Sequence, residues 1–176
     1  VDNAANTITP REDPARRPAT VGDNQMKYEI DKKVDGQSNI EMEKKANIQG
    51  FNYSEENYDI LHERFPTWKM YGSETASAIT SRGWYSDPEK ALGAQYIEGV
   101  NLSSYDNSAV EWGRTAQDSL IPDRDRKYIA GQYVWTGFDY IGEPTPFGSN
   151  AGDPQSSYFG IVDTAGFAKD SYYLYQ

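Results

Sequence analysis

The chain alternates short apolar runs with longer polar stretches, and the runs change period as they go. Pro18-Ala19-Thr20-Val21-Gly22 is a short strand candidate, stopped by Gly22-Asp23-Asn24. Gln25 to Ala46 is highly charged and broken at Gly36-Gln37-Ser38-Asn39, which predicts two short helical pieces on a solvated face. Asn47 to Tyr53 is a second strand. Ser54 then reads as an N-cap, with Glu55 and Glu56 in the first turn, where the helix dipole favours acidic groups. Tyr58, Leu61 and His62 fall at helical spacing, so one apolar face runs to about Phe65, and Pro66 ends the helix. Trp68 to Ser73 is a third strand.

Ala76 to Ser108 carries Gly83, Pro88, Gly93 and Gly99 and reads mostly as loop, with room for one short helix. Asn107-Ser108 starts a predicted helix through Val110, Trp112, Gly113 and Leu120, and Asp123 to Lys127 reads as a further short one. Ile129 to Tyr140 is the fourth strand, and Gly142 to Ser157 is loop. Tyr158 to Val162 reads as a short strand or turn, and Ala168 to Gln176 as a helix that starts and stops in its middle. The order of strands and helices predicts an α/β chain with parallel strands. Polar residues at the strand ends (Asp23-Asn24, Asn52-Tyr53, Glu74, Asp139) suit a barrel whose working face is the C-terminal rim.

Composition narrows the function classes. The 176 residues fit one domain with a sizeable core. The 14 tyrosines, six phenylalanines and four tryptophans supply apolar area that the mean hydropathy of -0.82 understates. A formal net charge of -10 opposes a general grip on nucleic-acid phosphates. No cysteine is present, so disulfides and thiolate metal sites are out. That leaves the compartment open, with export from a bacterial cell favoured over the cytoplasm. No apolar run approaches the roughly 20 residues of a membrane-spanning helix. The first residues are neither an initiator Met nor a basic-then-apolar leader, which suggests an internal piece of something longer.

The candidate chemistry centres on Glu74. It follows a strand-like run and is flanked by Gly72, Ser73, Thr75 and Ala76, which are too small to cover it. Such a carboxylate serves as a nucleophile or acid/base, or else as a structural group in a tight turn. Tyr53, ending the preceding strand, can donate a hydrogen bond to it and hold it ionised; the alternative is a core tyrosine. Asn52 reads as a ligand for a sugar hydroxyl or as a cap. Trp135 offers a face on which the C–H groups of a sugar ring can stack, or it belongs to the core. Asp139 and Glu143 bind hydroxyls or form salt bridges, and Trp84 overhangs the site from its loop. His62, the only histidine, reads as structural, which leaves a Ser-His-Asp hydrolase without support. No H-E-x-x-H, P-loop or G-x-G-x-x-G pattern occurs. Asn52-Tyr53-Ser54 and Asn101-Leu102-Ser103 match the N-glycosylation sequon, as short patterns do by chance.

Five segments resemble glycoside hydrolase family 2, and in particular its bacterial β-galactosidases. They are Ile48-Gln49-Gly50-Phe51-Asn52-Tyr53, Tyr71-Gly72-Ser73-Glu74-Thr75-Ala76-Ser77 and the long run Gly131 to Pro144 that includes Val134-Trp135-Thr136-Gly137-Phe138-Asp139-Tyr140. To these add Asp13 to Thr20, similar to the family's DPTRPVT with one extra Arg, and Phe159 to Asp170. The resemblance implies a retaining (β/α)8 barrel and makes these four strands its fifth to eighth. The whole chain, 1–176, is then a partial catalytic domain, the second half of the barrel. Glu74 matches the nucleophile, Tyr53 the tyrosine bonded to it, and Trp135 an aromatic lining the sugar subsite. The family's acid/base is the Glu of an Asn-Glu pair, and no such pair occurs here.

From that follow the partners: a β-linked glycoside or oligosaccharide, the other half of the barrel and accessory β-sandwich domains. Self-association is a further option, because an open sheet exposes two edges. Nucleic acid and membrane are not expected, and the bond-breaking step needs no cofactor. The alternative is a non-catalytic carbohydrate-binding or structural half-barrel.

Overall fold

A computed structural model of the chain describes residues 7–30, 39–85, 102–142 and 156–176. These form a mixed α/β structure whose four strands are hydrogen-bonded in chain order. The elements are α1 (Thr9–Glu12), β1 (Thr20–Asp23), α2 (Met26–Glu29), α3 (Asn39–Glu43), β2 (Ile48–Asn52), α4 (Tyr58–Arg64), β3 (Met70–Ala76), α5 (Ala116–Asp125), β4 (Ile129–Trp135) and α6 (Asp170–Leu174). A single 3-10 turn, Glu55–Asn57, leads into α4. The pairs β1/β2 and β2/β3 are parallel. That agrees with the predicted α/β class and with all four strand positions, although β4 ends at Trp135 rather than at Tyr140.

The chain divides into two compact units, Val1–Glu74 with Pro122–Gln132 and Thr75–Ile121 with Tyr133–Gln176. In the first, Met26, Ile30, Phe51, Tyr58, Leu61, Met70 and Ile129 form the core, with Ile40, Ile60, Phe65, Trp68 and Tyr128 packed against it. Gln49, Gly50 and Phe51 of β2 are all buried, as expected of a parallel strand covered on both faces. The buried Gln49 amide donates to Glu43 O (3.1 Å) and Ala46 O (2.9 Å) and accepts from Lys69 N (2.9 Å), so no polar atom of that side chain goes without a partner. The second unit has a smaller core of Ile79, Val110 and Phe159, flanked by Leu102, Tyr140 and Tyr158.

Three local expectations are corrected and a fourth is narrowed. Ser54 makes no side-chain cap; its hydroxyl donates to Asn52 O at 3.2 Å. The helix expected to start at Asn107-Ser108 starts at Ala116, because the backbone before it is used elsewhere: Val110 N donates to Ser77 O (3.3 Å) and Arg114 N to Ala76 O (2.7 Å). Asp106 accepts from the first helical N–H groups, Ala116 N (2.8 Å) and Gln117 N (2.7 Å), and Thr115 Oγ1 accepts from Asp118 N (3.2 Å). The two helices predicted up to Lys127 are one, α5, with Pro122 inside it. Tyr158 to Val162 forms no strand of its own, and Phe138 pairs with Val162 in an isolated bridge. Residues 36–38 of the predicted break, 86–101 of the first long loop and 143–155 of the second lie outside the described residues.

Candidate functional site

Glu74 sits near the end of β3, and the ladder beside it is irregular. Phe51 pairs with Gly72 and Asn52 with Glu74, so Ser73 is skipped. This is a β-bulge, in which two residues of one strand face one of its neighbour. It turns both Ser73 and Glu74 toward Asn52. The ladder continues one residue further, with Tyr53 N donating to Glu74 O at 2.9 Å. Tyr53 then adopts a left-handed backbone (φ 49°), uncommon for a residue with a side chain.

The side chains converge on the carboxylate. Tyr53 OH donates to Glu74 Oε1 at 2.5 Å, and Asn52 Nδ2 donates to Oε2 at 3.3 Å. Asn52 Oδ1 in turn accepts from Ser73 Oγ at 2.7 Å. Gly22 of β1 leaves space for that pair: a Cβ there would lie 3.1 Å from Asn52 Oδ1 and 3.2 Å from Ser73 Oγ. Lys27 Nζ stands 5.2 Å from the centre of the Tyr53 ring. Tyr53 is buried, while Asn52 and Glu74 are half-buried. Glu74 is thus a partly accessible carboxylate oriented through both oxygens by uncharged donors. It can attack an electrophilic carbon or move a proton.

The second unit holds the other described candidates. Trp135 is 36% exposed and meets the Tyr140 ring edge-on, centroids 6.1 Å apart. Trp84 is 52% exposed on a firm backbone, since its N–H donates to Ser104 Oγ (3.0 Å) and its carbonyl accepts from Ser104 N (2.6 Å). Of the two readings for Asp139, the structure displays the salt bridge. Lys169, 1% exposed, places Nζ 2.7 Å from Asp139 Oδ2 and 2.9 Å from Oδ1. The same ammonium donates to Thr80 O (2.7 Å) and Tyr158 O (3.2 Å), and Gly160 N donates to Asp139 Oδ1 at 2.7 Å. Gly160 has to be bare, because a Cβ there would lie 2.1 Å from Asp139 N. Burial pushes the Asp139 carboxyl up and the Lys169 ammonium down, and each holds the other's charge against that push. Glu143 lies outside the described residues.

His62 stacks on Tyr128, centroids 3.9 Å apart and rings 5° from parallel, in keeping with its structural reading. Among the described residues, no group of three or more His, Cys, Asp or Glu side chains stands where it could hold a metal ion, and no helix is long and apolar enough to cross a membrane.

Sequence reasoning missed Ser73, Gly22 and Lys169. Ser73 carried a signal only as a neighbour of Glu74. It also missed two buried carboxyls. Glu43 is pushed up to about 8, first by burial and then by the charge of Asp23. Asp123 is pushed up to about 7, first by burial and then by the charge of Glu55.

Compared with known proteins, the chain is 45% identical over 137 residues to the Bacteroides ovatus protein named beta-galactosidase BoGH2A, a match covering 73% of this chain and 16% of that protein. It therefore spans about one sixth of the length of that curated relative. A solved β-glycosidase of Bacteroides vulgatus superposes with a TM-score of 0.65 at 22% identity, covering 97% of this chain and 22% of that one. The Bacteroides uniformis β-glucuronidase gives 0.57 at 19% identity, over 99% and 19% of the two chains. At these identities the structural likeness speaks for the fold. No protein-family model matches the chain.

Proposed function

Because the chain belongs to glycoside hydrolase family 2, we propose that it is part of a retaining β-glycosidase, that Glu74 is the nucleophile, and that Tyr53 orients it. The observation that carries this is the accessible Glu74 carboxylate with an uncharged donor on each oxygen. In this reading β1 to β4 are the fifth to eighth strands of a (β/α)8 barrel, and residues 1–176 are part of one catalytic domain. Glu74 attacks the anomeric carbon of the sugar, the glycosidic C–O bond breaks, and a glycosyl ester forms on the carboxylate. A second carboxyl roughly 5 Å away protonates the leaving oxygen and later takes a proton from the water that cleaves the ester. That second carboxyl lies outside these residues, since they contain no Asn-Glu pair. The substrate is a β-galactoside, as the name of the 45% identical relative suggests. Trp135 and Trp84, whose rings are exposed, are candidate stacking residues, and Glu143 is a candidate hydroxyl ligand. Asp139, already held by Lys169, is left out of the sugar contacts.

The test is a 2,4-dinitrophenyl 2-deoxy-2-fluoro-β-galactoside, whose leaving group departs without an acid. Applied to the full-length protein that carries this chain, it should add one fluorosugar mass to the Glu74 peptide. Glu74→Gln should abolish the label and lower turnover about a thousandfold or more. Label on a different carboxyl overturns the assignment. The 176-residue chain alone should hydrolyse aryl β-galactosides barely at all; turnover at the full-length rate would overturn the claim that the acid lies elsewhere.

A further inference from the structure

Asn52 is not only a potential sugar ligand. Its amide is engaged at both ends by side chains of β3: the carbonyl accepts from Ser73, and the NH2 group donates to Glu74. We infer that Ser73 and Asn52 form a positioning relay that aims Glu74 Oε2, while Tyr53 anchors Oε1. This inference rests on the reading of Glu74 as the nucleophile. Neither Ser73 nor Asn52 needs to touch the reacting carbon; both act through Glu74.

Three features make the relay. The bulge drops Ser73 out of the β2/β3 ladder and turns its hydroxyl onto Asn52 instead. The absent side chain at Gly22 leaves the space in which Oδ1 and Oγ meet. The ionised carboxylate accepts only, so it selects the orientation of Asn52 with nitrogen toward Oε2 and oxygen toward Ser73. A donor on the amide oxygen polarises the amide and strengthens its N–H groups as donors, so the two bonds support each other.

The two carboxylate oxygens are held unequally. Oε1 has the short phenol bond of 2.5 Å, and Oε2 has an amide bond of 3.3 Å. A bond that long fixes direction while engaging the oxygen lightly. Without Ser73, Asn52 loses the described hydrogen bond to its oxygen and is free to swing, and Oε2 swings with it.

The test uses the same fluoro-galactoside, together with its gluco and glucuronide counterparts, on the full-length protein. The inactivation rate constant is read separately from the half-saturating concentration. Ser73→Ala should slow inactivation about fivefold with half-saturation unchanged, and Asn52→Ala about tenfold. The double variant should be no slower than Asn52→Ala alone, because the serine acts only through the amide. Ser73→Thr, which keeps the hydroxyl, should lie within about twofold of the parent. Additive losses, a Ser73→Ala protein as fast as the parent, or a Ser73→Thr protein as slow as Ser73→Ala each overturn the relay and leave the nucleophile standing. A parent protein that none of the three probes labels overturns the nucleophile, and the relay with it.

Discussion

Glu74 lies near the end of β3 and Asp139 four residues past the end of β4, and both carboxylates accept hydrogen bonds on both oxygens, yet they are held for opposite ends. Around Asp139 the charge is cancelled. Lys169 meets both oxygens, Gly160 N adds a third contact, and neither Asp139 nor Lys169 is more than 9% exposed. Around Glu74 the described donors are a phenol and an amide, which leave the charge in place on a half-buried side chain. A full ammonium ties down a carboxylate and cements the chain segments around it. Uncharged donors orient a carboxylate and leave it able to react. The kind of partner, more than the number of partners, separates the structural acid from the reactive one.

The largest effect should come from the structural acid. Lys169→Met leaves Asp139 buried without its counter-charge and should lower unfolding free energy by about 3–5 kcal/mol in denaturant titration. Adding Asp139→Leu should restore most of that loss, since a matched apolar pair needs no desolvated charge. Glu74→Gln should change the same measurement by less than about 1 kcal/mol. If Lys169→Met proves equally mild, the contrast between the two acids fails.

Glu43 sharpens the contrast as a third kind of acid. It is fully buried, and neither oxygen has a hydrogen-bond partner among the described residues. Its value of about 8 lies above the ordinary 4.5. The folded chain therefore keeps a proton that the unfolded chain releases across that interval. The stability tied to this proton is present in full below about 4.5, falls as pH rises, and is gone above about 8. Glu43→Gln mimics the protonated form. It should flatten this slope and raise stability at pH 8 by on the order of a few kcal/mol. A variant whose stability keeps the parent's slope would show that Glu43 is charged and held by a partner after all.

A smaller effect on labelling than that of Glu74→Gln is expected of Tyr53→Phe. It removes the donor to Oε1 and should slow fluorosugar labelling about tenfold, with little change in unfolding midpoint. Unchanged labelling would leave the orientation of Glu74 to Asn52 alone.

Much of the fold was legible because it is local. β2 and β3 carry apolar residues that give way to polar ones at Asn52 and at Ser73-Glu74, and α4 declares itself through Tyr58 and Leu61, both buried as the spacing predicts. The start of α5 was misread because Val110, which looked like part of a helical face, belongs to the core with Ile79 and Phe159, and because its first N–H groups are met by Asp106, ten residues upstream. The candidate site divides the same way. Tyr53 and Glu74 close adjacent parallel strands, so their meeting could be expected. The involvement of Ser73 depends on a skipped register between two strands, which no periodicity announces. The partner of Asp139 stands thirty residues away in sequence, and nothing in the local pattern of either residue points to the other.

Gly22 gives the site a hidden dependency. It has no side chain and sits two strands from Glu74, yet it vacates the space in which Asn52 and Ser73 meet. The footprint of the chemistry on the gene is therefore wider than the set of side chains that perform it. A methyl group gained at codon 22 presses on the aim of a carboxylate encoded more than fifty codons later. To the map of tolerated changes in this chain, a residue with nothing to contribute is as much part of the site as the groups that react.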